Sequence, residues 1–156
     1  MSERIDALVA GFPGASVEDS LGQAVVRLPR ESMAAFAESA RGAGFDTWID
    51  LCGVDHLTRS PRFEVVVHLL SLEPPELLRI LVGVPAEDPV VPTLTGVFAG
   101  ANFFEREAFD LFGIEFEGHP DLTRILLPDE WVGHPLRKDA AVGSVPVQFK
   151  EANRAT

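Results

Sequence analysis

The run "RFEVVVHLLSL", residues 62 to 72, constrains the fold more than any other feature: its β-branched core is flanked by turn residues and reads as a strand. "ELLRILVGVP", residues 76 to 85, follows after a short proline-containing link and is apolar at most positions. It reads as the next strand, with a short helix as the competing reading. So short a link favours antiparallel neighbours, and a sheet therefore forms the centre of the chain.

Residues 3 to 11 form an amphipathic helix with Ile5, Leu8 and Val9 on one side, and "GFPG" follows as a turn. "GQAVVRLP" reads as a strand. "RESMAAFAESARGAG" spaces Ala, Met and Phe as a helix does and ends in glycines, where a C-cap is expected. "FDTWIDLCGVDHL" alternates through Phe45, Trp48, Leu51 and Val54 as an extended segment, with room for a bulge near Gly53. The order is helix, one or two strands, helix, three strands. The expected class is α+β: a two-layer domain, helices packed on one mostly antiparallel or mixed sheet of about five strands, with an extended C-terminal segment.

Residues 85 to 101 carry three prolines and no sustained period, so they form a crossing loop with space for a turn of helix at 93 to 98. The α/β body is expected to span 1 to 101, a capped helix with an extended segment 102 to 139, and a C-terminal tail 140 to 156. "NFFEREAFDLFG" offers Asn102 as N-cap, Glu105 to close the capping box and Gly113 as the stop. Phe104, Ala108, Leu111 and Phe112 share one face, and Arg106 and Asp110 are spaced to pair on the opposite one. "IEFEG" alternates as a strand. Beyond Gly118 the prolines at 120, 128, 135 and 146 are too close for a normal helix, while Leu122, Ile125, Leu126, Leu127, Trp131 and Leu136 call for ordered contact.

Composition narrows the function. With 46% hydrophobic and 24% charged residues the chain is a soluble globule, and 156 residues bury roughly 70% of the unfolded surface. The 24 acidic against 13 basic residues give a formal charge of -11, which disfavours nucleic acid, whose binding needs clustered Lys and Arg. Basic protein surfaces suit it better. Cys52, the one cysteine, excludes internal disulfides and multi-cysteine metal cages and reads as a small buried hydrophobe in a reducing compartment. No signal peptide or membrane span is legible, so a membrane is reached only through a partner.

Two chemical readings are weak. His119, Asp121 and His134 are zinc-ligand types, but their spacing is not that of a metal site, and histidines bonded to backbone or carboxylates are the commoner case. Glu105 with Asp110, or Glu107 with Asp121, would make an acid and base pair, yet such pairs occur on any acidic helix. No nucleophile elbow, dinucleotide loop or phosphate loop is present. Trp131 and Arg137 among prolines and leucines form an interface pattern instead.

The stretch "EREAFDLFGIEFEGHPDLTRILLPDEWVGHPLRKD", residues 105 to 139, resembles the signature of the thirty-kilodalton (C-type) subunit family of NADH-quinone oxidoreductase, respiratory complex I. "DLCGVDHL" and "FEVVVHLLSL" are similar to that family's preceding strands. The resemblance implies a non-catalytic subunit without flavin, iron-sulfur cluster or substrate site. It would lie in the hydrophilic arm on the cytoplasmic side of a bacterial plasma membrane, peripheral and reaching the membrane only through the complex. Its partners would be the large quinone-site (D-type) subunit and the iron-sulfur subunits; the alternative is an equivalent scaffold subunit of a related membrane-bound hydrogenase or other quinone-linked dehydrogenase. Carried over onto this chain, Glu105, Arg106, Glu107, Asp110, His119, Asp121, Arg124, Trp131, His134, Arg137, Lys138 and Asp139 become interface positions, and Gly113, Gly118, Pro120, Gly133, Pro135 and Leu136 also occupy the family's motif positions. Phe103 stands where the family often has Trp.

Overall fold

The computed structural model describes residues 2–140, so the tail expected at 140 to 156 falls, beyond Ala140, outside the described residues. The elements are α1 (Glu3–Ala10), β1 (Ser16–Ser20), β2 (Gln23–Leu28), α2 (Met33–Gly42), β3 (Thr47–Asp55), β4 (Phe63–Leu72), β5 (Pro75–Val84), β6 (Val90–Pro92), α3 (Ala101–Phe112) and β7 (Glu115–Glu117). Five strands make one sheet in the order β1-β2-β5-β4-β3. Only β2 and β5 run parallel, so the sheet is mixed and the α+β expectation holds.

Alternation in β4 sets the two faces. Phe63, Val65, Val67 and Leu69 enter the core, with Leu78, Ile80, Val82 and Val84 of β5 and Ala24, Val26 and Leu28 of β2. Burial of each large apolar side chain stabilises by about 1.5–3 kcal/mol, so a one-residue slip, which would turn all of them to water, is excluded. Met33, Phe36, Ala37 and Ala40 of α2, at helical spacing, and Ile5 of α1 close this face. "ELLRILVGVP" is a strand because β4 and β2 flank it on both sides.

On the opposite face the register sets Asp50, His68 and Arg79 side by side. His68 donates from Nδ1 to Asp50 Oδ1 at 2.6 Å, and Arg79 Nε donates to His68 Nε2 at 2.8 Å. Cys52 lies on this face opposite Val66 and is exposed, which corrects the expectation of a buried thiol: strand alternation turns it away from the helices. The irregularity in β3 falls between Trp48 and Asp50 and not at Gly53. Gly53 has another cause, since a Cβ there would stand 2.7 Å from the Phe112 ring of α3.

Two short strands have no counterpart in the sequence pattern. β1 is the mostly polar edge segment "SVEDS", with Val17 its one apolar residue. β6, inside the proline-rich crossing loop, pairs in parallel with β7. Each is too short or too polar to show a periodic signal. The turn expected at 93 to 98 is present, with Val97 and Phe98 N–H donating to Leu94 O. Leu94, Phe98, Ala101, Ala108, Ile114 and Phe116 join the same hydrophobic core as the sheet.

Candidate partner-binding site

α3 begins at Ala101 and its N-cap position is Gly100, with no side-chain cap. The capping box expected from Asn102 and Glu105 does not form. Glu105 instead turns fully inward, where Oε1 accepts from Leu94 N–H at 2.6 Å and Oε2 from the Thr93 hydroxyl at 2.5 Å. A buried loop amide with no ladder partner needs an acceptor more than an exposed helix start does. Burial raises the Glu105 carboxyl to about 7, against the opposing hydrogen bonds from Thr93 and Leu94.

The next surprise is Asp110, also fully buried. Its expected pairing with Arg106 is absent: Arg106 donates to Thr123 O, Thr123 Oγ1 and Arg124 O. Asp110 Oδ2 instead accepts three successive backbone N–H groups, Ile125 at 3.1 Å, Leu126 at 2.8 Å and Leu127 at 2.9 Å. Arg124 Nη1 donates to its Oδ1 at 2.6 Å. Burial pushes this carboxyl up, but the Leu127 and Leu126 amides, the Arg124 guanidinium and the Ile125 amide outweigh it and hold the group below the usual range. The same guanidinium reaches the carbonyls of Trp131 and Gly133, so one carboxylate and one arginine fold residues 124 to 133 into a compact loop.

The extended segment from residue 118 onward, the strap, then caps the end of α3. The last carbonyls of a helix have no partner within it and carry the negative end of its dipole. Here His134 Nδ1 donates to Asp110 O at 2.9 Å, Leu136 N–H to Leu111 O at 3.1 Å, and Arg137 Nε to Phe112 O at 2.6 Å. Gly113 takes φ of +70° in the left-handed region, and a Cβ on it would meet Arg137 Nη2 at 2.5 Å and the His134 ring at 2.6 Å. Arg137 also lies over the Phe63 ring, 5.1 Å from its centroid.

A second carboxylate fastens the far end. Asp55, buried at the end of β3, accepts from Arg62 Nε and Nη2, from Leu57 N–H and from Lys138 N–H at 2.8 Å. The Arg62 hydrogen bonds hold it well below the usual carboxylate range despite burial, with the Lys138 and Leu57 amides helping. Arg62 Nη1 also donates to Asp139 at 2.8 Å.

Of the twelve positions singled out in the sequence, Glu105, Arg106, Asp110, His119, Arg124, His134, Arg137 and Asp139 have side chains bonded within the chain. Glu107, Asp121 and Lys138 are exposed, and Trp131 is half-buried. The histidines are not brought together: His119 Nε2 donates to Asn102 O and His134 to Asp110 O. With ~1.5 Å of rise per residue, ~12 Å of helix lies between those carbonyls. Glu105 and Asp110 likewise serve opposite ends of α3. Asp55, Arg62 and Thr93 were missed, because their roles arise from residues far away in the chain. Four large apolar side chains are exposed as well: Val132 at 94%, Leu126 at 61%, Leu136 at 51% and Phe103 at 62%. Among the described residues no helix is long and apolar enough to cross a membrane.

Comparison with known proteins fits this geometry. Residues 26–145 match the family described as respiratory-chain NADH dehydrogenase, 30 Kd subunit. The C-type subunit of NADH-quinone oxidoreductase from Herpetosiphon aurantiacus is 45% identical over 143 residues, covering 90% of this chain and 84% of the relative. NADH-quinone oxidoreductase subunit 5 of Thermus thermophilus is 44% identical over 156 residues, covering 94% and 74%. Among solved structures, the trypsin-resistant fragment of Nqo5 superposes with a TM-score of 0.68 at 41% identity, covering 76% of this chain and 96% of the fragment. A chain of the archaeal membrane-bound sulfane sulfur reductase shares the fold, with a TM-score of 0.79 at 21% identity over 99% of this chain and 97% of that one.

Proposed function

The chain belongs to the 30 kDa subunit family of the respiratory-chain NADH dehydrogenase, and from that premise we propose that it is a cofactor-free scaffold in the hydrophilic arm of a proton-translocating NADH:quinone oxidoreductase. In this reading it sits on the cytoplasmic side of the bacterial membrane and holds the large subunit that shapes the quinone site, beside the iron-sulfur subunits. Residues 1 to 101 act as the body and 102 to 139 as the clasp.

One observation carries the proposal. Arg124, His134 and Arg137 of the strap bond within the chain, yet Leu126, Val132 and Leu136 of the strap and Phe103 of α3 stay in water. Exposed large apolar side chains beside a half-buried Trp131 have the make-up of an interface anchor. The motif charges shape the clasp, and its apolar tips grip.

The test follows from that division. Reversing Arg137 would confound folding with binding, because Arg137 caps α3. The paired substitution Leu126→Asp and Val132→Asp touches only exposed side chains. Tagged chain carrying it should keep its far-UV circular dichroism but no longer recover the large subunit and NADH:quinone reductase activity from detergent-solubilised membranes. Full recovery of both would reject the grip. Recovery of wild-type chain with hydrogenase subunits in place of an NADH-oxidising one would assign the same scaffold role to a related machine.

A further inference from the structure

The buried pair at the root of the strap is not explained by docking. Glu105 and His119 both have side chains with no exposed surface, and Glu105 Oε2 lies 4.0 Å from His119 Nε2. His119 Nδ1 accepts from Asp121 N–H at 3.0 Å, so the ring is the neutral tautomer with its proton on Nε2, held by Asn102 O at 3.2 Å. Glu105 bonds α3 to the turn after β6 through Thr93 and Leu94, and beside it His119, donating to Asn102 O, holds the first residues of the strap to the same end of α3.

We propose that Glu105 and His119 form a proton-sensitive latch that holds the root of the strap to α3 and to the turn after β6. With Glu105 protonated the site is neutral and closed: the carboxyl keeps its proton on Oε2 and donates it in a hydrogen bond to Thr93 Oγ1, whose own hydrogen turns to Thr95 Oγ1, 2.9 Å away. When the proton leaves to solvent, a carboxylate is sealed in an apolar site. The opposed donors from the turn after β6 are Leu94 N–H and the Thr93 hydroxyl. From the strap only the His119 Nε2–H faces it, and Asp121 and Glu117 point to water. On α3 itself Arg106 is bonded to Thr123 and Glu107 is exposed. No guanidinium or ammonium among the described residues reaches the carboxylate.

Compensation then requires His119 to swing from Asn102 O toward Oε2, which strains its contact with Asp121, or water to enter, which unseals the root of the strap. The carboxyl's elevation by burial, to about 7, places this change near neutral pH. The latch is a property of the chain alone and does not depend on the identity of its partner.

Amide hydrogen exchange on the full chain, expressed as protection relative to an unstructured reference at the same pH, tests it together with a carbon-13 titration of the Glu105 carboxyl. The expected result is a carboxyl midpoint near neutrality and a severalfold loss of protection at Leu94, His119 and Asp121 over the same pH range. Glu105→Gln, a neutral isostere, should keep the protection at its acid-side value throughout. A carboxyl that titrates with ordinary glutamates, or protection that does not follow the titration, overturns the latch in wild-type protein even if the variant does not fold.

Discussion

Single carboxylates organise this chain, and their spacing along the sequence conceals it. Asp110 sits four residues from Arg106 and invites a helical ion pair, worth about 0.2–0.5 kcal/mol on an exposed face. It takes Arg124 and three strap amides instead, since a fully buried carboxylate must be satisfied by several donors. Replacing it with Ala leaves Arg124 and those amides without their acceptor. Asp110→Ala should lower the unfolding free energy by about 3–5 kcal/mol, as removing one member of a buried pair does, read from a urea titration. It should also expose residues 118 to 140 to trypsin; a variant as stable and resistant as wild type would refute the hub.

At the scale of elements, α3 and the strap behave as one unit, because the strap supplies the caps that the helix end lacks. Gly113 makes the join. Gly113→Ala should cost about 1–2 kcal/mol for the left-handed backbone alone, and more in total, because its Cβ runs into Arg137 and His134. Gly22 provides the control: it too has positive φ, +80°, but a Cβ there meets nothing within 4 Å. Thermal melts should show the larger fall for Gly113→Ala, and equal falls would mean that the strap does not press on the helix end. α3 itself was legible from its apolar spacing and its glycine stop. Its first turn was not, since the local capping signal at Asn102 lost to a buried amide at Leu94.

For the whole molecule, three buried carboxylates set opposing pH limbs. Asp55 and Asp110 are held below their ordinary value of 3.8, so their stabilisation is present above that value and disappears as pH falls through the lower folded values. Glu105 has the opposite sign. Its carboxyl rises from 4.5 to about 7, the folded state binds the extra proton across that window, and stability falls as pH rises through it. Unfolding free energy should therefore peak between the two windows, toward the acid end. Guanidinium titrations across pH should find the neutral limb flattened in Glu105→Gln and the acid limb kept; an unchanged neutral limb would show that Glu105 is not its source.

The sequence by itself determined the α+β class, the strand β4, the helices and the signature at 105 to 139. These rest on local periodicity, on proline and glycine placement, and on a long ordered motif, all of which are written in neighbouring residues. Only the tertiary structure decided that Glu105 and Asp110 of the signature face inward, that Cys52 is exposed on the sheet face turned from the helices, that β6 and β7 pair, and that Asp55 anchors the strap's end. Each of those joins residues remote in sequence, and which donor a buried carboxylate finds depends on what the folded chain brings within hydrogen-bond reach.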